Sequence, residues 1–149
     1  MAKITAKIEG MDELIGKLQR LGISVSDSLS IAVEAGAQII ADVANDKAPA
    51  PHIITDELEK SNTKVTVGIG PDDPHWYYRY LETGASAHEI KGNPLLAFEG
   101  REGIVITHSV QHPGMAARPF LRPAFDEKHK AATDKVGDEI AKVIERARQ

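Results

Sequence analysis

The chain contains no cysteine, which excludes disulfide frameworks and thiolate metal sites. No apolar run approaches the roughly 18 residues needed to cross a bilayer. The start, MAKITAKIEG, lacks the continuous apolar core of a signal peptide. Synthesis in a cytoplasm and no membrane partner are therefore the expectations. Positive charge is not in excess either. The net charge is −4, which argues against nonspecific nucleic-acid binding as the main role. Aromatic residues are scarce, yet four of the seven stand together in WYYRY, residues 76–80, so something is concentrated there. What is present in ordinary amount is hydrophobic content, at 42% of 149 residues. That is enough for a buried core, and a single domain over 1–149 is expected.

Hydropathy periodicity sets the expected elements. KITAKIEG alternates as a short half-exposed strand. Met11, Leu14, Ile15, Leu18 and Leu21 recur at helical spacing, with Asp12 and Glu13 in the first turn and Gly22 as the stop. A longer helix follows, capped by Ser24 or Ser26, with an apolar stripe of Leu29, Val33, Gly36, Ile40 and Val43 widened by Ile31, Ala35 and Ile39. PAP at 49–51 ends it. Residues 50–63 read as a loop with one helical turn around DELEK. TKVTVGIG is a strand, and GPDDP a turn. Trp76, Tyr77, Tyr80 and Leu81 form one face of a short helix ended by Gly84. LLAFEGREGIVITH is a β-hairpin around GREG. The last thirty residues form a third long helix with the stripe Leu121, Phe125, Ala132, Val136, Ile140, Val143 and Ala147. The class is α+β: a small antiparallel or mixed sheet with a β-hairpin, packed against two long helices, central and C-terminal, plus shorter helices.

Chemistry-bearing constellations are few. Two readings stand for the aromatic cluster: Trp76, Tyr77 and Tyr80 cover the open face of the sheet, or they form an exposed interface hot spot together with Arg79. Arg79 and Glu82, three apart, could pair on the exposed side. His108 and His112 are four apart in HSVQH, and His52, His75 and His88 lie in predicted loops. No HExxH or comparable ligand spacing is present, and there is no GxSxG or phosphate-binding glycine loop. No catalytic residue, cofactor or metal is expected.

The segment HPGMAARPFLRPAFDE, residues 112–127, is unusually stiff. Pro119 and Pro123 suit the first turn of a helix, where a missing N–H costs nothing. Phe120 and Leu121 then anchor the helix start in the core, while Arg118 and Arg122 stay outside. The lead-in HPGMAA is expected to be extended and partly exposed. Two arginines four apart on one face of a helix start oppose the helix dipole, so an acidic partner surface is expected opposite them.

YYRYLETGASAHEIKG, then LLAF, then HPGMAARPFLRPAFDE resembles the small head–tail joining proteins of long-tailed bacteriophages, also described as neck, tail-completion or minor tail components. Tyr80, Glu82 and Gly84, then His112, Pro113 and Gly114, then Pro119 through Ala124 carry the resemblance. In order, it covers nearly the whole chain. One departure is TDELEKS, with Asp56 where the family carries glycine. The resemblance implies a structural virion protein of the neck, copied around a homo-oligomeric ring of six or twelve subunits. Its partners would be head connector or adaptor proteins and tail terminator or tail tube proteins. Genome DNA would pass through the lumen without sequence-specific binding. The acidic balance suits a channel in which DNA slides. A ring uses head-to-tail interfaces with two different faces per subunit. Trp76, Tyr77, Arg79, Tyr80, Glu82, His88, Lys91, His112, Arg118, Phe120 and Arg122 are the candidate partner-interface residues. A loop over Ala85–Asn93 is expected to be mobile in the free protein and ordered in the ring. Two other classes compete: a small nucleic-acid or regulatory binding module, and a metal-dependent enzyme using His88, His108 and His112. Salt-dependent DNA affinity in a monomer would mark the first, and stoichiometric metal the second.

Overall fold

The computed structural model describes residues 2–4, 16, 19–20, 24–61 and 64–146. The predicted strand over 3–10 is seen only in part, as β1 (Ala2–Ile4). The predicted helix over 11–21 lies outside the described residues except at 16, 19 and 20, which are helical. The fold class is α+β, as the periodicity predicts. Two compact units divide the chain, one of Met1–Trp76 with Phe120–Gln149, the other of Tyr77–Pro119.

In the first unit, helix α1 (Val25–Lys47) begins at Ser24, whose hydroxyl accepts from the Asp27 N–H at 3.3 Å. This satisfies one of the donors that a helix start leaves open. Val25, Leu29, Ala32, Val33, Gly36, Ile40 and Ala44 are buried along it. Ile31, expected to widen the stripe, is 66% exposed; it lies on the outer side of the helix, and the small residues Ala32, Ala37 and Ala41 take the inner flank instead. Gly36 marks a close helix crossing. A Cβ there would stand 2.7 Å from Val136 Cγ2 and 2.8 Å from the Ala132 carbonyl oxygen.

Strand β3 (Val65–Pro71) is central in a three-stranded antiparallel sheet, with β1 on one side and β2 (Ile53–Lys60) on the other. Val65 through Gly70 are buried without a break, so this strand is covered on both faces. Strand β2 corrects the predicted loop and helical turn over 50–63. Only Ile53 of β2 is buried, so the segment lacks the apolar alternation that marks a strand in sequence. It is extended because β3 pairs with it from Ile53↔Pro71 to Lys60↔Val65. Asp56, opposite Gly68, lies within this ladder, where no turn glycine is needed. Charged residues along such an edge discourage further strand addition. Asn45 of α1 fastens the start of β2: its side-chain amide donates to the Ile53 carbonyl and accepts the Ile53 N–H, both at 2.8 Å.

The second unit contains helix α2 (Tyr78–Thr83) and a hairpin of β4 (His88–Gly100) and β5 (Gly103–His112), turned at Arg101–Glu102. The hairpin is longer than predicted. His88 to Asn93 belong to β4 rather than to the expected loop over Ala85–Asn93: His88, Glu89, Ile90 and Lys91 pair with His112, Gln111, Val110 and Ser109. Gly114 follows β5 at φ 82°, and a Cβ there would lie 2.5 Å from the Ala85 carbonyl oxygen. Glycine thus permits the Ala85–Met115 bridge, with its two hydrogen bonds of 2.9 and 2.8 Å.

Helix α3 (Leu121–Arg146), again in the first unit, buries Ala124, Ala132, Val136 and Ile140, continuing at helical spacing from buried Phe120. Its principal partner is α1. Leu121, Phe125 and Val143 of the expected stripe are only partly covered; the buried line runs through Ala124, which allows close approach. Ala147 lies outside the described residues. Pro123 stands in the first turn, where its missing N–H removes no helical bond, while Pro119 precedes the helix.

Glu139 on α3 bonds with Lys135 at 2.8 Å and Lys142 at 2.9 Å. These hydrogen bonds hold its carboxyl down at about 2, below an ordinary value of 4.5. A carboxylate depressed on folding stabilises above its unfolded value and loses that contribution as pH falls through the folded one. The difference in urea midpoint between the natural chain and Glu139→Gln should therefore be present at neutral pH, shrink below about pH 4.5 and vanish near pH 2. High salt should reduce it, since the group is solvated.

Candidate interaction surface

The turn of α2 and the base of the hairpin enclose an open hollow of about 440 Å³, lined by Tyr77, Tyr80, Ile90 and Met115 with His88 and His112. Strand register explains the histidines. His88 and His112 are cross-strand partners, and their rings stack with centroids 5.0 Å apart. His88 Nδ1 meets the Ser86 carbonyl at 2.9 Å, and His112 Nδ1 accepts the Gly114 N–H at 3.1 Å. Four of the predicted interface residues, Tyr77, Tyr80, His88 and His112, are thus brought to one place. Beside them Arg79 donates to the Tyr80 hydroxyl at 2.9 Å and holds its guanidinium 4.8 Å from that ring centre. The aromatic run is split in role: Tyr78 is buried, whereas Trp76, Tyr77 and Tyr80 are exposed.

Others of the predicted set behave differently. Lys91 is exposed and pairs with Glu89 at 3.2 Å. Glu82 is partly covered on α2. Phe120 is 1% exposed, so it serves the core and offers nothing to a partner. Arg118 is not on the helix: it precedes Leu121, and its backbone N–H donates to the Leu81 carbonyl at 2.7 Å. Only Arg122 lies in the first turn of α3. The expectation that both arginines share one helix face and jointly oppose its dipole is therefore corrected. The helix begins only at Leu121, three residues after Arg118, so helical spacing does not apply between them.

Sequence reading missed the most conspicuous surface, the outer half of the hairpin. Leu95, Phe98, Ile104, Val105 and Ile106 are all exposed, Ile104 to 78% and Ile106 to 66%. A signal was present. Three consecutive apolar residues in GIVITH must place side chains on both faces of the ribbon, and the hairpin is a separate two-stranded sheet.

No family model matches the chain, and neither a curated protein nor a solved structure is significantly similar to it.

The histidines of the competing enzyme reading are not assembled as ligands. His108 Nδ1 lies 3.1 Å from the Pro94 carbonyl, apart from the stacked pair. Among the described residues one group of three metal-capable side chains does converge, His52, Asp72 and His75. Burial pushes the Asp72 carboxyl upward, but the hydrogen bonds and charge of His75, with a smaller part from His52, outweigh it and hold the group below the usual carboxylate range. No helix among the described residues is long and apolar enough to cross a membrane.

Proposed function

We propose that this chain is a structural neck protein of a tailed phage, one subunit of the ring that joins the DNA-filled head to the tail and lets the genome pass. The observation that carries the reading is the bare apolar hairpin. Large apolar side chains left bare together on one short hairpin mark a protein interface, and a two-stranded ribbon with open edges can be completed by a neighbour. The hollow beside Tyr77 and Tyr80 supplies a second, chemically different face. A ring closes through two unlike faces on each subunit. The ordered motifs from YLETG to PFLRPA support the same role by resemblance, and a net charge of −4 suits a lumen that does not grip DNA. The virion neck is the corresponding location.

A nonsense mutation in the phage gene should leave filled heads and separate tails in infected cells. Electron microscopy of the lysate is the test, and normal infectious particles would sink the reading.

A further inference from the structure

We propose that His52, Asp72 and His75 form a binding site for a divalent zinc-like cation at the end of the β2–β3 ladder. The inference uses residues of the first unit alone and is independent of the ring. It departs from the expectation of a metal-free protein, which rested on ligand spacing along the sequence.

The backbone builds the site from two distant segments. Ile53↔Pro71 is the last pair of the ladder, and just beyond it the Asp72 N–H donates to the His52 carbonyl at 2.9 Å. His52 and Asp72 are thereby neighbours although twenty positions apart. Asp72 then caps a 3-10 turn over Asp73–His75. The His75 N–H reaches the Asp72 carbonyl at 3.0 Å and its carboxylate at 3.2 Å, which folds His75 back over its own cap. Prolines 51, 71 and 74 restrict the chain on either side.

The three side chains converge on one another. His75 Nδ1 bonds to one carboxylate oxygen of Asp72, and His52 Nδ1 stands 3.6 Å from the other. The two imidazoles stack, with centroids 3.4 Å apart and planes 12° from parallel; their in-plane lone pairs do not meet in that arrangement, so one ring turns out of the stack to share an ion. One donor atom from each residue lies within 4.8 Å of the others. Around a tetrahedral zinc ion with bonds near 2.0–2.2 Å, donors stand roughly 3.3–3.5 Å apart, so closure draws the donor atoms together and rotates one imidazole out of the stack. All three side chains are half-buried, which leaves a path for an ion and an open coordination position. Two imidazole nitrogens and one carboxylate suit zinc, nickel or copper, whereas magnesium and calcium prefer oxygen ligands alone. A bound ion would tie the edge strand β2 to the turn after β3, a structural role that involves none of His88, His108 and His112.

The test uses the full-length chain without a polyhistidine tag, stripped with chelator. Titration calorimetry with zinc chloride should show one ion per chain with micromolar or tighter affinity, and magnesium chloride should give no heat of binding. His52→Gln and His75→Gln should each weaken zinc binding on the order of 100-fold, while His108→Gln leaves it unchanged. Because a substitution can disturb the fold, nitrogen-15 NMR of the six histidine rings in the unaltered chain provides a second readout. Zinc should shift the rings of His52 and His75 together. Absence of stoichiometric binding, or shifts confined to other histidines, overturns the proposal.

Discussion

Replacing Phe120 with Ala is expected to destabilise the protein by about 3–5 kcal/mol. Phe120 is 1% exposed and among the largest fully buried side chains. It stands immediately before α3, whose buried line continues through Ala124, Ala132, Val136 and Ile140. Ala124, one helical turn on, is small and buried, so it offers little volume to fill the space left by a lost ring, and a cavity adds to the lost transfer energy. Phe125, only partly covered, should cost less when replaced in the same way. Urea unfolding of both variants beside the natural chain measures the difference. For a chain of this length the Phe120 variant should also melt on the order of 10 °C lower. A loss below about 1 kcal/mol would place the ring outside the effective core.

The double substitution Ile104→Asp, Ile106→Asp should leave folding nearly intact and abolish assembly. Both side chains are largely bare, and exposed substitutions usually change stability by less than about 0.5 kcal/mol each. They share one face of β5, opposite Glu99 and Ala97 on β4, while Val105 and Phe98 occupy the other. If a neighbouring subunit covers that face, each substitution buries a carboxylate against apolar surface. Two interface anchors at roughly 2 kcal/mol each correspond to about a thousandfold weaker contact. Sedimentation of the ring and an in vitro head–tail joining assay read the effect, with far-ultraviolet circular dichroism as the check on folding. Rings and joining at natural levels in the folded double variant would remove the hairpin from the interface.

Much of the protein was legible in sequence because its signals are local. Ser24 caps α1 and PAP ends it. Val65, Val67 and Ile69 declare β3. The GREG turn sits between two apolar runs, and Pro123 falls where a helix tolerates it. Each of these depends on a few adjacent residues and on the periods of helix and strand. The gathering of Tyr77 and Tyr80 was also partly visible, since both lie within one short aromatic run.

Tertiary structure decided the remainder, wherever the deciding partner is remote in sequence. β2 carries a charged, loop-like composition and is a strand only because β3 offers it a ladder. His88 through Lys91 are extended because residues 109–112 pair with them. Periodicity could not choose Tyr78 for burial over Tyr77 and Tyr80, or leave Ile31 bare, because covering atoms come from other elements. Arg118 and Arg122 look like helical neighbours until the helix start at Leu121 separates them. His52 and the Asp72–His75 pair read as loop residues in isolation. Only the closing hydrogen bond of the ladder makes one cluster of them, since strand pairing conveys proximity between residues that chain spacing keeps apart.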